Sequence, residues 1–390
     1  MTATLTFDPE AATRDRYSAA SQAPEQALCC PTSYDPQYLK VLPAEILERD
    51  YGCGDPSEFV REGETVLDLG SGGGKICYIL SQVVGPTGRV LGVDMNDDML
   101  ALAREHQPAV AEKIGHDNVT FHKGKIQDLA LSLDAVQGYL DEHPIDSVEA
   151  MAAFEAQRSR LRTQEPMIAS DSVDVIVSNC VLNLVRPEDK AQLFGEMFRV
   201  LKRGGRAVIS DIVSDEDPTP AILNDPDLWS GCISGAYRED AFLKAFEDAG
   251  FYGVELVKYE SEPWQTVDGV EFRSVTVQAY KGKQGPCLER KQAVIYRGPW
   301  KRVIDDDGHT LSRGERMALC DKTFKLMTDP HGPYAGQLEA VEPREDIALD
   351  DAVPFACKGN NRRDPRETKG QDYHLTTSAS DCCGDDGACC

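Results

Sequence analysis

The stretch Val66-Leu67-Asp68-Leu69-Gly70-Ser71-Gly72-Gly73-Gly74-Lys75 limits what this chain can fold into more than any other. An apolar strand runs into a glycine-rich turn. The turn opens a helix whose apolar face is Ile76, Ile79, Leu80, Val83 and Val84, and Gly85-Pro86 stops it. Glycine tolerates positive φ and lets a ligand come close to the backbone, while the start of a helix offers unpaired N–H groups to an acceptor. A second strand, Arg89-Val90-Leu91-Gly92-Val93, then delivers Asp94, roughly 20 residues beyond the turn, where a βαβ unit sets an acid against ribose hydroxyls. This is the turn of a nucleotide-type cofactor.

Two other phosphate motifs do not fit. A G-x-x-x-x-G-K-[ST] loop needs glycine at Leu69 and a hydroxyl at Ile76, and a G-x-G-x-x-G fingerprint read from Gly70 and Gly72 needs glycine at Lys75. The remaining form, D-x-G-x-G-x-G, resembles motif I of the class I S-adenosylmethionine methyltransferases, in which the glycines make room for the methionyl part of the cofactor.

At 390 residues the chain exceeds one typical domain, and its 41% hydrophobic content suffices for a core. No apolar run approaches the ~18 residues of a membrane span. Residues 1–17 lack the apolar centre of a signal peptide, so a soluble cytoplasmic protein with no membrane partner is expected. The 41 basic and 66 acidic residues give a net charge of −25, which repels polyanions and argues against nucleic acid as a partner. Thirteen cysteines are unusual for a reducing compartment, which does not reward disulfides. No C-x-x-C pair and no H-x-x-x-H spacing occurs, so these cysteines do not form a zinc ribbon.

Residues 1–62 read as a polar, mobile N-terminal arm to about residue 28, then a helical segment from Pro36 to Asp50 with Pro43 as a restart, then the turn Tyr51-Gly52-Cys53-Gly54. Alternating β and α patterns over 63–214 predict an α/β doubly wound, Rossmann-like sheet, interrupted by a polar helical insertion at about 130–168. Within it, Val173 to Cys180 reads as a buried strand ending at the cofactor crevice. The helix Pro187 to Lys202 is expected to stop at Gly204-Gly205. Residues 215–285 read as an added sub-domain, 286–360 as a C-terminal α+β domain, and 361–390 as a disordered, cysteine-rich tail.

The stretches Tyr51-Gly52-Cys53-Gly54, Ser178-Asn179-Cys180-Val181-Leu182-Asn183-Leu184 and Gly231-Cys232-Ile233-Ser234-Gly235-Ala236, together with the glycine turn, resemble the arsenite methyltransferases over about residues 28–285. Cys30-Pro31-Thr32 is similar to the N-terminal cysteine position of that family, with Cys29 as the competing choice. Two departures stand out. The insertion near 130–168 is long, and Gln127 replaces an acid that relatives carry near adenine. The resemblance implies catalytic roles for Cys30, Cys53, Cys180 and Cys232. It also implies cofactor contacts at Tyr51, Asp68, Gly70, Gly72, Gly74, Asp94, Met95, Ile126 and Asn179. Tyr51 has packing as an equal alternative, and Asp68 has the alternative of holding the turn.

The chemistry of the residues agrees with this resemblance. Trivalent arsenic is soft and three-coordinate and prefers thiolates to oxygen ligands. Cys53, Cys180 and Cys232 supply three. Held so, the lone pair of arsenite, and afterwards of methylarsenite, can attack a sulfonium methyl. Methyl transfer formally oxidises arsenic, so thiolates closing to a disulfide would return the electrons, Cys53 with Cys30 as its expected partner, and thioredoxin or glutathione would reset them. A monomer is expected. Taken singly, each cysteine reads more simply as core, because free cysteine is among the most buried residue types. Cys77 and Cys320 are read that way. Two rival functions are a methyltransferase of a small organic molecule, which would need an activating base, and a non-catalytic, thiol-rich metalloid binder.

Overall fold

The computed structural model describes residues 5–25, 28, 33–49, 51–357 and 361–376. They fall into two compact units, divided between Gly282 and Lys283.

The first unit opens with helix α1 (Pro9–Ala20), within the stretch that sequence alone reads as a mobile arm. The reason is local: Asp8 caps the helix by accepting from the Glu10 and Ala11 amides, with Pro9 at its first position and Glu10 in the first turn. Short helices α2 (Pro36–Leu39) and α3 (Ala44–Glu48) follow, split at Pro43 as its missing N–H requires. The chain then alternates: β1 (Thr65–Leu69), α4 (Lys75–Val84), β2 (Arg89–Asp94), α5 (Asp97–Ile114) and β3 (Val119–Lys123). The helical insertion is α6 (Leu133–Glu142) and α7 (Val148–Gln164), which bury only Leu161 between them. Next come β4 (Val173–Asn179), α8 (Lys190–Val200) and β5 (Leu201–Ser214).

In β5 the sequence reading is corrected. The helix ends at Val200, and Leu201 already pairs with Val173 on β4. Gly204, with φ of +85°, donates its amide to Lys281 O, so the two glycines bend a strand entry and do not cap a helix.

The chain continues through α9 (Pro220–Leu223), α10 (Pro226–Ser230), β6 (Tyr237–Arg238), α11 (Glu239–Asp248), β7 (Tyr252–Tyr259), β8 (Gln265–Val267) and β9 (Val270–Tyr280). One sheet runs β3-β2-β1-β4-β5-β9-β7, with β6 beside β5 and β8 beside β9. Strands β1 to β5 are mutually parallel, and β9 runs antiparallel between β5 and β7. The region read as an added sub-domain, residues 215–285, supplies four strands to the same sheet, and up to Gly282 it belongs to the same unit. One face of the sheet packs α8 and α11 through Leu193, Phe194, Met197, Phe242 and Phe246, and the other packs α4 and α5 through Ile79, Leu80, Leu100 and Ala103. Strand order reverses between β1 and β4, and a doubly wound sheet binds ligands in the crevice beyond the carboxyl ends of such a pair.

The second unit is a smaller α+β body. Strand β10 (Leu288–Glu289) is the first, and β11 (Ala293–Tyr296) lies between two later strands. Strands β12 (Arg302–Ile304) and β13 (Thr310–Ser312) pair with each other, and β14 (Arg316–Ala318) precedes α12 (Asp321–Thr328). Strands β15 (Leu338–Val341) and β14 flank β11, and β16 (Val353–Pro354) pairs with β10. Its core is Val294, Tyr296, Leu311, Met317, Leu319, Phe324 and Met327. Among the described residues, no helix is long and apolar enough to cross a membrane.

Candidate active site

A cavity opens at the carboxyl ends of β1, β2 and β4. Its floor is the glycine turn. Gly70 (φ +73°) and Gly72 (φ +49°) occupy the left-handed region, and a Cβ at Gly70 would strike Val181, whereas one at Gly72 would meet nothing within 4 Å. The first glycine therefore serves close packing and the second leaves open space beside the cavity. Gly74 (φ +87°) does not line it. A Cβ there would press on Phe121, Ala103 and Tyr78, so its role is to let α4 settle on its neighbours.

Asp94 closes the turn from β2. One carboxylate oxygen accepts from Gly72 N at 2.9 Å and the other from Asn96 N at 2.8 Å. Burial raises its pKa above the ordinary carboxylate value, against the lowering effect of the Asn96, Gly72 and Met95 amides. Asp68 is buried beneath the turn and accepts from the Cys77 thiol at 3.2 Å. Thr13 Oγ1 and Ser71 Oγ, both buried, have no hydrogen-bond partner among the described residues, although their residues line the cavity. Orphaned hydroxyls beside an open glycine cradle fit a polar, extended ligand such as S-adenosylmethionine.

Helix α1 forms part of the wall through Glu10, Thr13, Arg14 and Tyr17. Its own sequence is weakly apolar, and polar contacts hold it in place. Glu10 pairs with Lys125 at 2.7 Å, and Asp8 pairs with Arg186 at 2.6 Å. Arg16 donates to Asp227 O at 2.8 Å and to Ser230 Oγ at 3.0 Å on α10. Tyr51 donates to Ala20 O at 3.0 Å, accepts from Glu25 N and meets Tyr17 edge to face, so it both lines the cavity and packs the end of α1.

Thiols gather beside the cavity. Cys53, Cys180 and Cys232 belong to one buried cluster with Ile212, Ile222, Ile233 and Phe272. Cys53 and Cys180 are joined by a disulfide with Cα atoms 5.8 Å apart, and the Cys232 thiol donates to Cys180 O at 2.9 Å. Cys180 lines the cavity, and Cys53 and Cys232 do not. Cys180 (φ +60°) and Cys232 (φ +64°) are both left-handed non-glycine residues, a conformation costing on the order of 1–3 kcal/mol each that surrounding structure must enforce. That enforcement is visible. Cys180 N donates to Ser210 O, and Asn183 Nδ2 donates to Ile212 O and Cys232 O.

Asn179 serves both sides. It lines the cavity, and its side-chain amide accepts from Cys53 N and Gly54 N and donates to Gly54 O, clamping the Cys53 turn onto the end of β4. A Cβ on Gly52 would collide with that amide, which explains the glycine before Cys53.

A family model described as a methyltransferase domain matches residues 61–250, and one described as a domain of unknown function matches residues 283–373. An arsenite methyltransferase of Aquipseudomonas alcaligenes is 33% identical over 330 residues, covering 79% of this chain and 84% of that protein. The chain belongs to the arsenite methyltransferase family. Another arsenite methyltransferase, from Mus musculus, is 28% identical over 90% of this chain and 88% of its own length. The crystal structure of an arsenic(III) S-adenosylmethionine methyltransferase from Chlamydomonas reinhardtii shares the fold, with a TM-score of 0.53 at 24% identity, over 83% of this chain and all of that one.

Of the residues that resemblance to the arsenite methyltransferases singled out, Tyr51, Asp68, Gly70, Gly72, Asp94, Met95, Ile126, Asn179 and Cys180 line the cavity together. Cys53 and Cys232 stand next to Cys180, while Gly74 does not reach the cavity. Cys30, the expected partner of Cys53, lies outside the described residues, and Cys53 is joined to Cys180.

Sequence reasoning missed Tyr17, Asp211 and Lys190. The Tyr17 hydroxyl lies beside Cys232, and burial together with that thiol and Asp211 holds its pKa well above the usual range. Burial pushes the Asp211 carboxyl up to about 6, against hydrogen bonds from the Ile212 and Leu182 amides and the charge of Lys190. Burial also brings Lys190 down to about 8, its ammonium donating to Gly235 O and lying 4.1 Å from the Tyr237 ring. A buried acid and base thus stand beneath the thiols. The sequence did carry a signal for α1, the Asp8-Pro9-Glu10 start, but none for Asp211 or Lys190, which read as ordinary strand and helix residues.

Proposed function

We propose that this chain transfers the methyl group of S-adenosylmethionine to trivalent arsenic held by the thiolates of Cys53, Cys180 and Cys232. The observation that carries this reading is the convergence of three cysteines, distant in sequence, at the carboxyl end of β4, with Cys180 in the wall of the cavity that holds the glycine turn. When bound, S-adenosylmethionine supplies the electrophilic methyl. Gly70 and Gly72 would give its methionyl part room, Asp94 would accept from ribose hydroxyls with its remaining lone pairs, and Met95 and Ile126 would contact the adenine. Helix α1 excludes water from the cavity through Tyr17 and Thr13, which favours attack by a thiolate-bound arsenic over solvent.

Three thiols exchange for the three oxygens of arsenite with loss of water, and arsenic keeps its lone pair for the methyl. After transfer, the arsenic bonds to Cys53 and Cys180 break, the two sulfurs join, and one electron pair returns to arsenic. Water adds as hydroxide with loss of a proton to fill the third position, leaving trivalent methylarsenic on Cys232. The Cys53–Cys180 bond supports this assignment as the oxidised form of the site. A dithiol or glutathione system then reduces it, with Cys30 as relay and thioredoxin as a natural reductant. The enzyme acts as a monomer in the cytoplasm on arsenite and methylarsenite.

The test is turnover with S-adenosylmethionine, a thiol reductant and each arsenical, with products speciated by chromatography. The wild type should yield methylated arsenic from both. Cys180→Ser should yield none from either, and turnover of methylarsenite by that variant would overturn the assignment.

A further inference from the structure

The second unit carries another gathering of thiols that methyl transfer does not use. Cys287, Cys320 and Cys357 each offer a sulfur, and the three sulfurs all lie within 4.8 Å of one another. Three different elements deliver them. Cys287 immediately precedes β10, and Cys357 follows β16. These two strands pair antiparallel, and Phe355 N donates to Cys287 O at 2.9 Å. Cys320 is the N-cap of α12, its sulfur 3.2 Å from Thr323 Oγ1. Arg290, which follows β10, pairs with Asp321 of α12 at 2.7 Å and locks helix to strand. The thiols are therefore brought together by independent contacts of the fold and not by proximity in sequence.

Access and charge also suit a ligand. Cys320 is buried, whereas Cys287 and Cys357 are half-buried, so the cluster is sheltered yet reachable. The Lys322 ammonium hydrogen-bonds at Cys287 and offsets the negative charge of a thiolate there. A pyramidal centre about 2.3 Å from each sulfur, with bond angles of about 100°, needs them roughly 3.5 Å apart, within reach of small side-chain rotations.

We propose that Cys287, Cys320 and Cys357 form a second trivalent-arsenic site, which holds the metalloid as a trithiolate without methylating it. The donor number decides in favour of arsenic. Structural zinc takes four ligands, and among the described residues the group contains no fourth histidine, carboxylate or thiol. Trivalent arsenic forms three bonds and retains a lone pair, so three soft thiolates complete it. Binding exchanges three As–O bonds of arsenite for three As–S bonds and releases three waters, with no change in oxidation state. The residues lining the cofactor cavity all fall between Glu10 and Arg186, in the first unit.

The experiment uses the full chain, kept reduced with a non-thiol reductant, in a background with serine at Cys180, Cys232, Cys382, Cys383, Cys389 and Cys390. Arsenite is titrated, and the bound form is examined by arsenic X-ray absorption. The expected result is one equivalent with three sulfur neighbours. Adding Cys320→Ser, which keeps a good N-cap oxygen on α12, should weaken binding at least ~10-fold and lower the sulfur count. Cys287→Ser, at a half-buried strand end, should do the same. Unchanged affinity and sulfur count in both variants would overturn the proposal, as would a zinc ion bound by the background protein that arsenite fails to displace. The result is separable from the methylation reading, since Cys287→Ser in the otherwise unaltered chain should methylate arsenite at the wild-type rate.

Discussion

Cys53, Cys180 and Cys232 in the first unit and Cys287, Cys320 and Cys357 in the second are the same donor set in different surroundings. In the first, two of three residues are forced into the left-handed region, the wall is apolar, and one sulfur faces a cofactor cavity. In the second, Cys320 sits in an ordinary extended N-cap conformation, and two sulfurs are half-buried. Holding a soft metalloid needs only that three thiolates converge. Methylating it needs one thiolate aimed at a methyl donor, and on the proposed reading the left-handed backbone at Cys180 and Cys232 would serve that aim. A buried acid and base, Asp211 and Lys190, stand beneath the first set.

The largest expected effects break the comparison at the first set. Cys180→Ser and Cys232→Ser should each lower the rate with arsenite and with methylarsenite by at least ~10²–10³-fold, since arsenic misplaced by even about 1 Å forfeits that much. Cys53→Ser should abolish the reaction of arsenite and spare that of methylarsenite, because a methylated arsenic has one bond fewer to fill. Initial rates for each pair decide it, and equal losses on both substrates would remove Cys53 from the proposed order.

Asp211→Asn should follow, as a change in stability with pH. The folded carboxyl holds its proton up to about 6, whereas the unfolded one releases it near 3.8. Between those values the native state binds more protons, so the wild type loses stability as pH rises through that window, by up to about 3 kcal/mol. Asparagine has no such loss. Urea midpoints of the two proteins should therefore diverge between pH 4 and 6 in favour of the variant and run parallel above, and parallel curves throughout would show the burial of Asp211 to carry no such cost.

Asp94→Ala tests the cofactor side alone. Leaving its partners unpaired should weaken S-adenosylmethionine binding by about 1–3 kcal/mol in calorimetry, with arsenite affinity unchanged. Unaltered cofactor affinity would move the ribose contact elsewhere. The smallest effect belongs to the second set, where Cys287→Ser should leave kcat for arsenite within about twofold, as expected for a side chain that touches none of the reacting atoms. A loss like that of Cys180→Ser would erase the distinction between the two thiol sets.

The parallel half of the sheet was legible because its signals are local and repeated. Apolar runs such as Val173 to Val177 alternate with helical periods, and Gly70, Gly72 and Asp94 fall at the spacing of a βαβ cofactor unit. The start of β5 was misread because Lys202 to Gly205 looks like a helix stop. Pairing of Leu201 with Val173 outweighs that local preference. Helix α1 was misread for the opposite reason: its residues are polar along most of its length, and its position depends on partners such as Lys125, Arg186 and Asp227 that lie far away in the chain.

By itself the sequence determined the cofactor class and the doubly wound core, because each rests on residue type at a fixed local spacing, whereas Cys53, Cys180 and Cys232 were singled out by resemblance to the arsenite methyltransferases. Tertiary structure alone decided that Cys53 bonds Cys180, that Asn179 clamps the Cys53 turn, that Tyr17, Asp211 and Lys190 stand around Cys232, and that Cys287, Cys320 and Cys357 meet. Those facts are distances between residues remote in the chain. They are set by how strands and helices pack, and no local pattern of side chains encodes them.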